Sequence, residues 1–166
     1  MAGYSPFEAQ VVTLINDYFL ETKQPGIAFR LKQSHFYTQF IDILVDSKDH
    51  AHYLAIECKS ISINKKYPPK FYFSKWTIDK KGRHQIDRIS EFIQKGQRFG
   101  ILAAQLRQGK GRPVENYLVP WTHVETAFKA GEKSIDPAVI KETYPKLEKI
   151  DGVLNLEYCI SALRQF

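Results

Sequence analysis

Two apolar runs that carry acid where burial makes charge costly constrain this chain most. Phe40-Ile41-Asp42-Ile43-Leu44-Val45 is followed by Tyr53-Leu54-Ala55-Ile56-Glu57-Cys58-Lys59-Ser60. Both read as strands, with the polar turn Asp46-Ser47-Lys48-Asp49-His50 between them. A strand sets residues i and i+2 on one face, so Glu57 and Lys59 project side by side. Fourteen residues separate Asp42 from Glu57, and if the runs pair as a hairpin Asp42 lies beside them. Two carboxylates and an ammonium at the edge of a core make a site for a divalent cation with a lysine over it. A plain salt bridge on a half-exposed hairpin competes with that reading, but such a hairpin would alternate polar and apolar residues more fully.

A chain of 166 residues, 43% of them hydrophobic, predicts a single domain over 1–166 with a core that needs no staples. The two cysteines, Cys58 and Cys159, are far apart and form no disulfide or zinc-ribbon pattern, which favours a reducing compartment. No apolar run approaches a membrane span and the N-terminus has no signal-peptide core, so the expected location is cytoplasmic, with no membrane partner. The net charge of +6 leans toward an anionic partner. The histidines His35, His50, His52, His84 and His123 lack metal-ligand spacing; His50 and His52 flank a turn and are expected to be exposed. There is no phosphate-binding Walker loop, no nucleophilic serine elbow and no dinucleotide-binding glycine pattern, and no small-molecule substrate is expected.

Along the chain, Ser5-Pro6-Phe7-Glu8 opens a helix, with Ser5 at the N-cap and Glu8 three residues on. Phe7, Val11, Leu14, Ile15 and Tyr18 then repeat at helical spacing. Pro25-Gly26 precedes a strand over 27–31, and further strands are expected over 39–46 and 53–60. Residues 61–83 show no clean period and read as a long loop. A second helix is expected over 84–95, ending near Gly96, then strands over 101–106 and 114–121 around a basic turn at 108–113. Beyond Trp121 the pattern predicts helices over 122–129 and 137–144 and a short strand over 152–158.

The order helix, three strands, helix, strand, with Ile41-Asp42 and Glu57-Cys58-Lys59 on adjacent strands, resembles the αβββαβ core of the PD-(D/E)xK nuclease superfamily. The proline that usually precedes the aspartate is absent here. His84-Gln85-Ile86-Asp87-Arg88-Ile89-Ser90-Glu91-Phe92, leading into Arg98-Phe99-Gly100-Ile101-Leu102-Ala103, is similar to the helix-to-strand segment of archaeal-type Holliday-junction resolvases, found in archaea and some viruses. The resemblance covers about residues 5–121, and 122–166 is a C-terminal extension outside it. It implies an α/β restriction-endonuclease-like fold with a mixed sheet flanked by helices. It also implies a Mg²⁺-dependent endodeoxyribonuclease (Mn²⁺ substituting), acting as a homodimer on four-way junctions, nucleoid-associated or in a host's cytoplasm.

By the same resemblance, Asp42, Glu57 and the backbone carbonyl of Cys58 would be metal ligands, and Lys59 would orient the attacking water. Glu8 has two readings: an acid that reaches the metal from the first helix, or the second half of a capping box with Ser5. Gln85 is either a polar residue facing the site or a solvent-exposed helix position. Arg30 and Ser34 would lie near the scissile phosphate.

Lys65, Lys66, Lys70, Lys75, Lys80, Lys81 and Arg83 lie in the 61–83 segment against the single acid Asp79. Tyr67, Phe71, Tyr72, Phe73 and Trp76 are interleaved with them. Cations there can neutralise phosphates, and rings such as Trp76 can stack on unpaired bases. A second basic patch holds Arg98, Arg107, Lys110 and Arg112. Besides the junction resolvase, two readings stay open: another PD-(D/E)xK endonuclease, restriction-like or for repair, and a catalytically silent nucleic-acid-binding protein of the same fold.

Overall fold

The computed structural model describes residues 6–32, 40–63, 66 and 69–166. Ser5, Ser34, Lys65 and Tyr67, each given a role above, lie outside them. Helix α1 (Pro6–Glu21) buries Phe7, Val11, Ile15, Tyr18 and Phe19, a stripe of helical period. It is followed by β1 (Gly26–Arg30), β2 (Ile43–Ser47) and β3 (Leu54–Ser62), then a two-residue strand β4 (Phe71–Tyr72), helix α2 (Gln85–Gly96), β5 (Phe99–Arg107) and β6 (Glu115–Pro120). The central sheet has the order β1-β2-β3-β5-β6 and is mixed: only β3 and β5 run parallel, and the other pairs are antiparallel. The expected αβββαβ order is therefore present, on a mixed sheet flanked by helices.

Asn16 fastens the edge strand β1 to α1 through both halves of its amide. Asn16 Nδ2 donates to the Ala28 carbonyl at 2.9 Å and its Oδ1 accepts from the Ala28 N–H at 2.8 Å. Strand β5 is buried from Gly100 to Leu106, as expected of a strand covered on both faces. Gly100 is where the helices close on it: a Cβ there would overlap Ile93 and come within 2.7 Å of the Trp121 Cβ.

The chain after β6 forms α3 (Trp121–Lys129), β7 (Ser134–Ile135), α4 (Pro137–Thr143), β8 (Lys149–Ile150), β9 (Val153–Leu154) and α5 (Leu156–Leu163). It packs into the same hydrophobic cluster as the sheet, through Ile140, Leu147, Leu154, Leu156 and Ile160. It also pairs with the segment before α2, β7 lying antiparallel to β4.

Several expectations are corrected here. Strand β2 begins at Ile43, not 39, because Asp42 is a bend residue whose carbonyl accepts from the Leu31 N–H at 2.9 Å. The segment 61–83 is not one long loop. Strand β3 runs on to Ser62, β4 and a 3₁₀ turn (Phe73–Lys75) follow, and Ile78 bridges to His84. Helix α2 passes through Gly96, and Gln97 takes the left-handed conformation at its end (φ 51°). Within 152–158 only Val153–Leu154 is strand, and α5 takes over at Leu156. His52 is buried rather than exposed, its ring edge-on to Phe19 at 5.6 Å.

Candidate active site

Strand pairing creates the site. Strands β2 and β3 stay paired only as far as Ile43–Ile56. Beyond that point the Cys58 N–H, which would continue the ladder, donates instead to Asp42 Oδ2 at 2.8 Å. Asp42 is thereby fixed beside Glu57. Strand β3 is buried without a break from Leu54 to Cys58, so Glu57 enters the core and is only 1% exposed. Lys59, two residues on, bends back and places Nζ 2.7 Å from Glu57 Oε1. Gln85, the first residue of α2, donates from Nε2 to the same oxygen at 2.7 Å. Of the two readings of Gln85, the structure therefore gives the one that faces the site.

Glu57 Oε2 is buried and receives no hydrogen bond in its ionised form. The Asp42 carboxyl lies beside the Glu57 carboxyl, and a bond between the two requires a proton on one of them. Burial first, and then the Asp42 charge, push the Glu57 pKa up to about 8, against the lowering pull of Lys59. Asp42 is also raised, by burial, which outweighs its bond to Cys58 N–H and the Lys59 charge. A pair of carboxylates that prefers to hold a proton can give it up to a cation.

Glu8 enters from the first turn of α1 and makes a close ion pair with Arg30 Nη2, at the end of β1. Its pKa is raised by burial and then by the Asp42 charge, with Arg30 opposing. Among the described residues, no group of three or more His, Cys, Asp or Glu side chains is arranged to hold a metal ion. Glu8 is held by Arg30 and lies near enough to Asp42 for that charge to raise its pKa. What stands ready is a two-carboxylate site, Asp42 and Glu57. That donor set suits a hard cation such as Mg²⁺, which keeps several waters and takes one or two carboxylates. The orphaned, buried Glu57 oxygen is the observation that fits one. The capping-box reading of Glu8 falls on Ser5, outside the described residues.

Trp76 is corrected most sharply. It is 5% exposed and Phe73 is 3% exposed, their rings 6.1 Å apart, with Trp121 5.9 Å beyond Trp76. Both rings belong to the core, so neither offers the exposed face that stacking on a base needs. Lys59 Nζ lies 4.5 Å from the centroid of the Trp76 ring. Arg98 is corrected likewise: it stacks on Tyr53 at 3.9 Å and pairs with Asp46 at 2.9 Å. Arg83 is held between Asp79 and Glu91, at 3.2 and 3.1 Å.

One surface depression adjoins the site at Lys59 and a second continues from it at Ser62. One, of about 290 Å³, is lined by Lys59, Ser62, Lys70, Tyr72 and Lys75 among others, with no acid in its walls. The other, of about 830 Å³, is lined by Ser62, Arg107, Gln108, Gly109 and Arg112 among others. They share Ser62, so basic surface runs from Lys59 along the end of the sheet to Arg112. Lys70 is partly engaged, 3.4 Å from Asp136. Lys66 and Lys110 are exposed on the surface. Among the described residues no helix is long and apolar enough to cross a membrane.

Sequence reasoning missed Asn16, Thr77 and Arg88. Thr77 donates its N–H to Gln85 Oε1 at 3.2 Å, and the buried Arg88 Nη2 donates to Thr77 Oγ1 at 2.9 Å. Only an arginine inside the apolar stripe of α2 hinted at this network.

No family model matches the chain, and no curated protein does. Among solved structures it is similar to Hjc, a Holliday junction resolvase from the archaeal hyperthermophile Archaeoglobus fulgidus, at 18% identity and a TM-score of 0.43, over 78% of this chain and 91% of that one.

Proposed function

We propose that the protein is a metal-dependent structure-selective endonuclease that hydrolyses phosphodiesters in four-way DNA junctions. The buried Glu57–Asp42 pair, with one Glu57 oxygen lacking a donor and Lys59 beside it, carries this reading. Asp42 and Glu57 would hold Mg²⁺ or Mn²⁺, with the Cys58 carbonyl as a further ligand and Glu8 able to join if it leaves Arg30. The cation would supply Lewis-acid polarisation of the phosphate and a more acidic bound water. Lys59, tethered to Glu57 and 27% exposed on its side chain, is placed to orient the attacking water and offset phosphate charge. Gln85 fixes the Glu57 carboxylate.

The basic surface meeting at Ser62 supports a nucleic-acid substrate. Lys59, Lys70, Lys75, Arg107, Lys110 and Arg112 would track the phosphate backbone, with Lys66 at the margin. Arg30 lies within the site, partnered by Glu8, and would pass to a scissile phosphate when Glu8 turns away. A homodimer would bring two such centres to opposed strands, and this follows the resolvase resemblance. Incubation with labelled junction, duplex and single strand in Mg²⁺ tests the reading. Preferential cutting of the junction supports it. Equal cutting of duplex favours a restriction-like or repair nuclease with the same centre, and tight binding without cutting favours a silent binding protein.

A further inference from the structure

Both donors to Glu57 Oε1 are braced from behind by one dipeptide, Trp76-Thr77. The Lys59 ammonium sits 4.5 Å from the Trp76 ring centroid while its Nζ reaches Glu57. The ring cannot swing away, because Trp76 is buried between Phe73 and Trp121, and the Trp121 indole N–H is itself anchored on Ser90 Oγ at 2.9 Å. Thr77 acts on the other donor. Its N–H at 3.2 Å and its hydroxyl at 3.4 Å both meet Gln85 Oε1. An amide whose oxygen faces two donors must present its NH₂ to the opposite side, which here is Glu57. Thr77 is held in turn by the Arg88 guanidinium and by the Gln85 N–H, which donates to the Thr77 carbonyl at 2.8 Å.

We propose that Trp76-Thr77 is a positioning element. Trp76 seats the Lys59 ammonium and Thr77 sets the Gln85 amide, so both converge on one oxygen of Glu57 and leave the other to face the reaction. This rests on the hydrolytic reading of the centre. The segment that looked like a nucleic-acid-stacking loop is the back wall of the active site.

Two arms test it. The first needs no catalysis: an ammonium over an indole face places the Lys59 ε-methylene protons in the ring current. Their NMR signals should be shifted upfield in the wild-type protein and return toward random-coil positions in Trp76→Leu. The second compares cleavage by Trp76→Phe, which keeps an aromatic face, with Trp76→Leu, which keeps only apolar bulk. A cation–π contact of this size predicts a fall in kcat of roughly 3- to 30-fold for Trp76→Leu. DNA affinity should be unchanged, and Trp76→Phe should recover most of the rate. A merely structural tryptophan would lower melting temperature in both variants and leave kcat per folded molecule unchanged. Unshifted Lys59 signals in the wild-type protein overturn the proposal, as does wild-type kcat in folded Trp76→Leu. If the wild-type protein cuts no DNA the nuclease reading fails, and the NMR arm alone decides whether Trp76 seats Lys59.

Discussion

At the scale of single residues, Glu57 sets stability against chemistry. Its carboxyl is buried beside a second carboxyl and its pKa rises to about 8. The folded state thus binds the proton more tightly than the unfolded chain, where Glu titrates near 4.5. Stability from this group is fully present below pH 4.5 and declines as pH rises through the interval up to about 8. Glu57→Gln removes the ionisable group and keeps the shape. Thermal melts in chelator should show the variant melting above the wild-type protein at pH 8, by roughly 2–4 °C for each kcal/mol recovered, with the gap closing toward pH 4.5. Equal melting at pH 8 would contradict the assignment of Glu57 as a charge held against its preference. Cation binding must displace the same protons. Mn²⁺ should therefore raise the wild-type melting temperature more at pH 8 than at pH 6, and should leave Glu57→Gln unmoved at both.

At the scale of elements, the close approach of α2 and α3 to β5 is the tightest test of the packing. Gly100→Ala would push a methyl into Ile93 and toward the Trp121 Cβ. Overpacking of this kind costs about 1–3 kcal/mol, so urea denaturation should show a lowered midpoint with an unchanged slope. The elements around the site were legible in the sequence because their patterns were pure. Helix α1 repeats Phe7, Val11, Ile15 and Tyr18 at helical spacing, and the apolar stretches around Asp42 and Glu57 read as strands, which they are from Ile43 and from Leu54. The segment 61–83 is opaque in sequence because lysines alternating with rings look the same whether the rings face water or core. Trp76, Phe73 and Phe71 turn inward because β7, some sixty residues later, pairs with β4 and closes over them, and local pattern carries no sign of that partner. Helix α5 was overlooked although Leu156, Cys159, Ile160 and Leu163 have helical spacing, all four buried. The strand after the hairpin turn Asp151-Gly152, both residues at positive φ, ends after two residues, and α5 begins at Leu156. The ion pair that takes Glu8 to Arg30 joins two elements 22 positions apart, and no spacing rule announces it.

At the scale of the whole molecule, basic residues line the two depressions that run from Lys59 to Arg112. Cations that track phosphate act by counterion release, so each lost contact should lower the salt slope of DNA binding by about one. Alanine at Lys75, Arg107, Lys110 or Arg112 should do this on every DNA substrate. Arg98→Ala should leave the slope alone and lower stability instead, since its guanidinium is engaged with Asp46, the Val45 carbonyl and the Tyr53 ring. Binding isotherms at several salt concentrations separate the two groups. The central claim, that Asp42, Glu57 and Lys59 form a hydrolytic centre for branched DNA, is tested most directly by mapping cuts. A four-way junction is labelled on each strand in turn and incubated in Mg²⁺ with wild-type protein or with Asp42→Asn at concentrations that saturate binding. The account predicts paired nicks on opposed strands near the branch point with the wild-type protein, and a bound but intact junction with Asp42→Asn. An uncut junction with the wild-type protein, or the same nicks with Asp42→Asn, would contradict it.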